Sequence, residues 1–383
     1  MSKTQTVIAG VGETSYSFNS GMSSIELLLQ ACGRAADDAG IKLKDIDGIV
    51  IPRQLVDIKP YEFEFYTHAK IKFSAYSGMD AGAGVINSLE IADMMLSTGK
   101  CKYVLIYVGD NQATDAKHAN PGLFHMADKY KRNIEVPMGF YPQPVYFATL
   151  TRRYMELYGD ISDQMCSIAV HTREHAIKNG NAQMTKPMSR EDYYNYPILF
   201  DPMRIVDCCP VTDGAAAMVV TTEEYAKDLD CTPVYIRGIA TAGIDAVSPF
   251  FFTQYSDPLT TSAVKTAPIA FAQAGLTNDD IDVAQIYDSF CINVILQLED
   301  LGFCKKGEAK DFIGNGDAIT LGGRLPLNTH GGLLSQGYIY GINHAVEGVR
   351  QARGDSPVQV EGAKNVLVSG FGGWYQGTLI LSK

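Results

Sequence analysis

The 383-residue chain has no Cys-x-x-Cys pair, no cysteine between Cys32 and Cys101, and none after Cys304. Its eight cysteines are scattered rather than grouped, which excludes a disulfide-built fold or a zinc knuckle and leaves them as reduced thiols. No apolar run approaches the roughly 18 residues that cross a bilayer. The opening MSKTQTVIAGVGE enters an apolar strand with no long apolar leader before it, so a cytoplasmic protein is expected. Positive charge is scarce as well: 32 Lys and Arg against 43 Asp and Glu leave a formal charge of −11. That balance argues against a nucleic-acid binder or a protein held on anionic membranes. An anionic ligand would need a local patch, such as Lys129, Lys131 and Arg132, or Arg152 and Arg153.

What the chain does have is alternation. TVIAGVG, DGIVI, YVLIYVG, AAMVVTT, PVYIRGIATAG, VAQIYDSF and NVLVSGFGG read as strands or strand ends, separated by amphipathic stretches that close on glycine. The class is therefore α/β. Residues 35–51 and 270–286 align without a gap, sharing an Ala-Gly helix end and an Asp-Ile-Asp before a strand. This points to a duplication with a boundary near Lys227–Thr232, giving halves 1–230 and 231–383. The aromatic- and proline-rich segment from about 110 to 200 reads as a long, irregular insertion over the first half's site. Near the other end, SQGYIYGINHAVEG leads from a glycine-flanked turn carrying two phenols into a helix, a place suited to a developing oxyanion.

Two similar halves, DCCPVTDGAAA, the turn YDSF, and NTHGG followed by GYIYG together resemble the thiolase superfamily over essentially the whole chain, in particular its sterol-carrier-protein-type branch. The resemblance implies a five-layer αβαβα thiolase fold with two central sheets, normally dimeric, and a site where helix N-termini from both halves converge. It also exposes departures. The nucleophilic cysteine of thiolases falls at Ala81 or Gly82, the second catalytic cysteine at Gly370, the histidine of the Gly-His-Pro turn at Tyr338, and the Asn or His of the other turn at Tyr287. Without a nucleophile no acyl-enzyme forms, which removes thiolysis. A site of this shape still suits retro-aldol cleavage of a β-hydroxyacyl-CoA, with backbone donors around Gly82 and Gly370 holding the enolate.

The pattern is similar to the lipid-transfer-protein-type aldolases that shorten steroid side chains. That similarity implies Tyr338 and Tyr287 as base and partner, in either order, with a phenol pKa lowered from about 10. It further implies coenzyme A as part of the substrate, no cofactor on this chain, and a small OB-fold, zinc-ribbon partner that alone carries zinc, arranged as a homodimer within an α2β2 complex. His330 is the candidate histidine. Asp288 either tunes Tyr287 or, like Ser289, caps the next helix. Tyr255 and Tyr141 are candidates to line the acyl pocket, while Tyr340 falls by spacing on the opposite side, as packing. Three other readings are open: a noncatalytic acyl-CoA- or lipid-binding subunit, an acyltransferase of the same superfamily, and a zinc peptidase built on HTREH, residues 171–175, on an exposed helix.

Overall fold

Strands buried on both faces require helices on both faces, and the chain supplies them in two similar passes. A computed structural model describes residues 5–52, 58–79, 81–115, 130–243, 255, 257–373 and 375–383. The first pass runs β1 (Thr6–Glu13), α1 (Ser24–Asp38), β2 (Gly48–Ile51), α2 (Pro60–Thr67), β3 (Phe73–Tyr76), α3 (Ala81–Ser97), β4 (Val104–Asn111) and α4 (Gln112–Asp115). A helical segment follows, with α5 (Gln143–Tyr158), α6 (Ser162–Asn179), α7 (Arg190–Asn195) and the short hairpin β5 (Ile198–Phe200) and β6 (Met203–Arg204). Next come β7 (Asp213–Thr222), α8 (Glu223–Ala226), β8 (Val234–Gly243), α9 (Ala263–Ala274), β9 (Val283–Gln285), α10 (Cys291–Asp300), α11 (Ala309–Ile313), α12 (Ile342–Arg353), β10 (Asn365–Gly372) and β11 (Tyr375–Ser382).

The strand order β3-β2-β4-β7-β1-β8-β11-β10-β9 reads nearly the same from either end. β2 pairs parallel with β4, as β9 does with β10, and each of these pairs continues into antiparallel neighbours toward the centre. The gapless self-match explains why. The 3-10 turns Leu43–Asp45 and Asn278–Asp280, and the strands starting at Gly48 and Val283, occupy corresponding places in the two stretches. The sheets of the two passes meet at one seam, where β1 pairs with β8 through Val7↔Tyr235 and Ile8↔Val234.

Helix α1 covers the outer face of β1, β7 and β4, and α9 that of β8 and β11, while α3 and α12 lie between the two passes and touch strands of both. This is the five-layer order expected. Of these two central helices α3 is the more apolar, whereas α12 also buries Asn343, His344, Glu347 and Gln351. In α3 the residues Ala83, Val85, Ile86, Leu89, Ala92 and Leu96 are all buried.

The segment around 110–200 is not irregular where it is described: α5 and α6 run 16 and 18 residues. Nor is α6 exposed. Met165, Ile168, Val170, Thr172, Arg173, His175 and Ala176 are buried, and with so little free face the helix shows no clean stripe in the sequence. Arg173 is itself tied inward, donating to Ser335 Oγ at 3.0 Å and to the Lys186 carbonyl at 2.9 Å. The suggested basic patches are also committed elsewhere. Lys131 is buried 3.7 Å from Glu135, Arg152 pairs with Asp201 and Arg153 with Glu156, and Lys129 lies outside the described residues. Among the described residues no helix is long and apolar enough to cross a membrane.

Candidate active site

The turn after β9 is held at every residue. Asn328, in the left-handed region at φ 48°, uses its side chain like a strand neighbour, accepting from the Ile286 amide at 2.7 Å and donating to the Ile286 carbonyl at 2.9 Å. The Tyr287 carbonyl accepts from Gln297 Nε2 at 2.7 Å. Asp288 is fully buried and accepts from the Leu333 amide at 2.7 Å. The Ser289 carbonyl accepts from the Cys209 amide at 2.9 Å. Asp288 therefore does not cap α10, whose N-cap residue is Phe290. It staples the Tyr287 turn to the turn at Gly332–Gln336 that precedes Tyr338.

Tyr338 is fixed from the other side, its amide donating to Thr212 Oγ1 at 2.8 Å. The segment Asp207–Asp213 thus braces both tyrosine turns, through the Cys209 amide and the Thr212 hydroxyl. The result is direct contact: the Tyr287 hydroxyl donates to the Tyr338 oxygen at 3.1 Å. Tyr287 is buried and Tyr338 only half-buried, so the accepting phenol is the one nearer solvent. Tyr340 is not on an opposite face. Its backbone adopts φ 53°, its ring lies 5.1 Å from that of Tyr338, and its hydroxyl donates to Asp110 Oδ2 at 2.9 Å while accepting from Gln112. The positive φ turns the side chain away from the direction that simple alternation gives.

The ring of Tyr287 is wedged among glycines. A Cβ on Gly82 would sit 2.5 Å from its Cδ2, one on Gly341 2.9 Å from the same atom, and one on Gly370 2.1 Å from the Gly82 carbonyl oxygen. The starts of α3 and α12 therefore meet beside the phenols, and the first amides of a helix have no intrahelical acceptor. Ala81, the first residue of α3, bends at φ 51°, an αL strain of roughly 1–2 kcal/mol for a residue with a Cβ.

Burial pushes the Tyr287 phenol well above its ordinary pKa, and the neighbouring Tyr338 adds to this. The lowering expected for a phenol base does not occur at Tyr287, which stays a proton donor. His330 lies behind the pair. Its Nδ1 meets Gln285 Oε1 at 3.1 Å and its Nε2 is unpaired, so neither nitrogen bonds a phenol. Burial, then His344, holds His330 well below the ordinary histidine value, and burial holds His175 to about 4.

Both imidazoles are thus neutral in the fold, whereas the unfolded chain protonates them below about 6.5. Each contributes stability that is lost as pH falls below that value, up to about 1.4 kcal/mol per pH unit; Asp207, raised by burial to about 6, acts with the opposite sign. In an NMR titration the ring signals of His330 and His175 are expected to stay at neutral-imidazole positions from pH 8 to 5. A midpoint near 6.5 for either would contradict the burial argument.

None of the eight thiols is activated. All are free, and burial raises every one: Cys101 and Cys166 to about 11, Cys208 and Cys304 to about 12, and Cys32, Cys209, Cys231 and Cys291 upward as well. In HTREH, His175 Nδ1 is bonded to the Leu327 carbonyl at 3.0 Å and His171 Nδ1 lies 3.2 Å from Glu174. No cluster of three or more metal-ligating side chains occurs among the described residues. Tyr255 packs against the core that contains Tyr287 and Phe290, and burial raises its phenol. Tyr141 stands at the cis peptide before α5.

The comparisons agree with this architecture. The family profile described as "Thiolase C-terminal domain-like" matches residues 245–383. A 17-hydroxy-3-oxo-4-pregnene-20-carboxyl-CoA lyase of Mycobacterium tuberculosis is 35% identical, over 98% of this chain and 99% of its own. A steroid side-chain-cleaving aldolase of Thermomonospora curvata is also 35% identical, over 98% and 97% of the two chains. The solved structure of an Ltp2-ChsH2(DUF35) aldolase superposes with a TM-score of 0.91 at 34% identity, covering 99% of this chain and 97% of that one.

Proposed function

Because the chain belongs to the family of thiolase-fold, steroid side-chain-cleaving aldolases, we propose that it cleaves the Cα–Cβ bond of a β-hydroxyacyl-CoA by a retro-aldol reaction. The acyl group we assign is a steroid side chain of the 17-hydroxy type, cleaved to a ketone and propionyl-CoA or acetyl-CoA. The observation that carries the assignment of roles is the 3.1 Å contact in which buried Tyr287 donates to half-buried Tyr338.

That contact orders the two phenols. A hydrogen bond donated to the Tyr338 oxygen stabilises negative charge there, which makes Tyr338 the base that takes the β-hydroxyl proton and Tyr287 its supporting donor. As the O–H electrons form the new carbonyl, the Cα–Cβ pair moves into the thioester, and the amides beside Gly82 and Gly370 hold the resulting enolate oxygen. The proton taken up by Tyr338 is then given to Cα, which completes the reaction and restores the base. Asp288 acts through the turns it joins, and His330 serves as a neutral support behind them. Tyr255 and Tyr141 are assigned to the acyl pocket.

On this reading coenzyme A enters as part of the substrate, and no cofactor resides on the chain. The partner we propose is a small OB-fold protein whose zinc ribbon carries the only zinc, in an α2β2 complex around a homodimer; support comes from the two-component name of the superposed aldolase. Residues 1–230 and 231–383 are taken as the two halves, each lending helix starts to the site.

The test is a mass-spectrometric screen of steroidal and simple β-hydroxyacyl-CoA esters against the chain co-purified with its partner. Release of a ketone with a short acyl-CoA is expected; absence of cleavage for every ester supports a noncatalytic binding subunit instead. Since no thiol is activated and sulfur takes no part, iodoacetamide at pH 7.5 is expected to leave turnover within about twofold of untreated enzyme. Acyl transfer through a cysteine would be lost under that treatment.

A further inference from the structure

Behind the phenols lies a group of buried side chains to which the proposed reaction assigns no direct step. His344, in the first turn of α12, is fully buried. Its Nε2 lies 3.1 Å from Asp288 Oδ1, in ion-pair range but out of line for a hydrogen bond, and its Nδ1 has no partner. The His330 ring stands edge-on to it at 4.8 Å and the Tyr287 ring is 6.2 Å away. Unpaired buried polar atoms cost about 1–3 kcal/mol each, and an apolar filling of the same space is often as stable or more so. Such a cost recurs where geometry serves function.

We infer that His344 is a positioning residue: from the helix that follows Tyr338 it bears on the carboxylate next to Tyr287 at 3.1 Å, and so sets the separation of the two phenols. The connectivity supports this. Tyr338, Gly341 and His344 belong to one continuous segment, and Tyr287 and Asp288 to another. The His344–Asp288 contact joins these two segments directly, beside the hydroxyl contact and the Leu333 amide that Asp288 also holds, and it is the tie that comes from α12. Gly341, just before α12, comes close to the Tyr287 ring but has no side chain with which to hold it. Placement errors of about 1 Å at reacting groups can cost about a hundredfold in rate.

The inference rests on the aldolase reading, and its test is arranged to fail separately. Three variants are compared in the complex with a β-hydroxyacyl-CoA that the wild type cleaves. His344→Leu is expected to lower kcat at least about tenfold with KM within about threefold. His344→Gln, whose amide nitrogen reaches the place of Nε2, is expected to stay within about threefold of wild type, and the shorter His344→Asn to behave like Leu. In a crystal structure of His344→Leu the phenol oxygens are expected to separate beyond hydrogen-bond distance.

Wild-type kcat in the Leu and Asn variants overturns the inference and leaves the aldolase reading standing. Equal loss in all three, in step with thermal stability, or failure of all three to fold, overturns it in favour of a structural role. If the wild type cleaves no ester, the aldolase reading falls by itself. The crystal structure then decides, because phenols unmoved at 3.1 Å refute positioning whatever the activity.

Discussion

Tyr338→Phe is expected to lower kcat for cleavage by about 10²–10⁴, the range general acid–base groups contribute, with KM changed little because the ring and its packing remain. Tyr287→Phe is expected to cost less, about tenfold. It removes one donated hydrogen bond to the base, a contribution of roughly 0.5–1.5 kcal/mol, rather than the base itself. The asymmetry is the test, because Tyr287 is buried and held protonated whereas the Tyr338 oxygen accepts the Tyr287 hydrogen bond and is partly open. Steady-state kinetics on both variants check it. A Tyr287→Phe loss larger than that of Tyr338→Phe would reverse the assigned roles, and wild-type rates in both would remove the phenols from the mechanism.

The second large effect concerns a residue with no side chain. In Gly370→Ala the new methyl would lie 2.1 Å from the Gly82 carbonyl oxygen and 2.4 Å from its carbon, both backbone atoms of the central helix α3. Neither can move without shifting the start of α3 away from Tyr287. Overpacking usually costs about 1–3 kcal/mol, and a backbone collision belongs at or above the top of that range. For a chain of this size that corresponds to a fall in Tm of roughly 4 °C or somewhat more, with cleavage expected to fall at least about a hundredfold because the proposed enolate donors move with the helix. Gly33→Ala is the internal control. A Cβ there meets nothing within 4 Å, the residue lies inside α1, and the change is expected to stabilise by about 0.5–1 kcal/mol. Scanning calorimetry together with activity separates the two, and a Gly370→Ala protein as stable and as fast as wild type would contradict the packing argument.

Much of the proposed site is legible in the primary structure because its two phenols stand at marked turns. Tyr287 and Tyr338 stand in glycine- and acid-rich turns whose order along the chain is informative, and the repeat predicts two equivalent passes. What holds the tyrosines is less visible. Thr212, Asn328, Gln297 and His344 act through single contacts between residues far apart in sequence, and a lone polar residue near a turn carries no sign of what it will meet. Asn328 and Thr212 do sit inside the stretches NTHGG and DCCPVTDG, and this proximity is the signal the sequence carries. Tyr340 was misplaced because alternation assumes extended backbone, and its φ of 53° breaks the alternation. Helix α6 is hard to read because a helix enclosed on most sides has no polar face to set its period, whereas α5 does carry one, with Arg152, Arg153 and Glu156 exposed.

The bend at Ala81 has one more consequence. At that crest the side chain is only a methyl group, so the bent backbone at the start of α3 brings no nucleophile to the phenols. The contorted crest, still present with nothing reactive upon it, aims the amides that follow it.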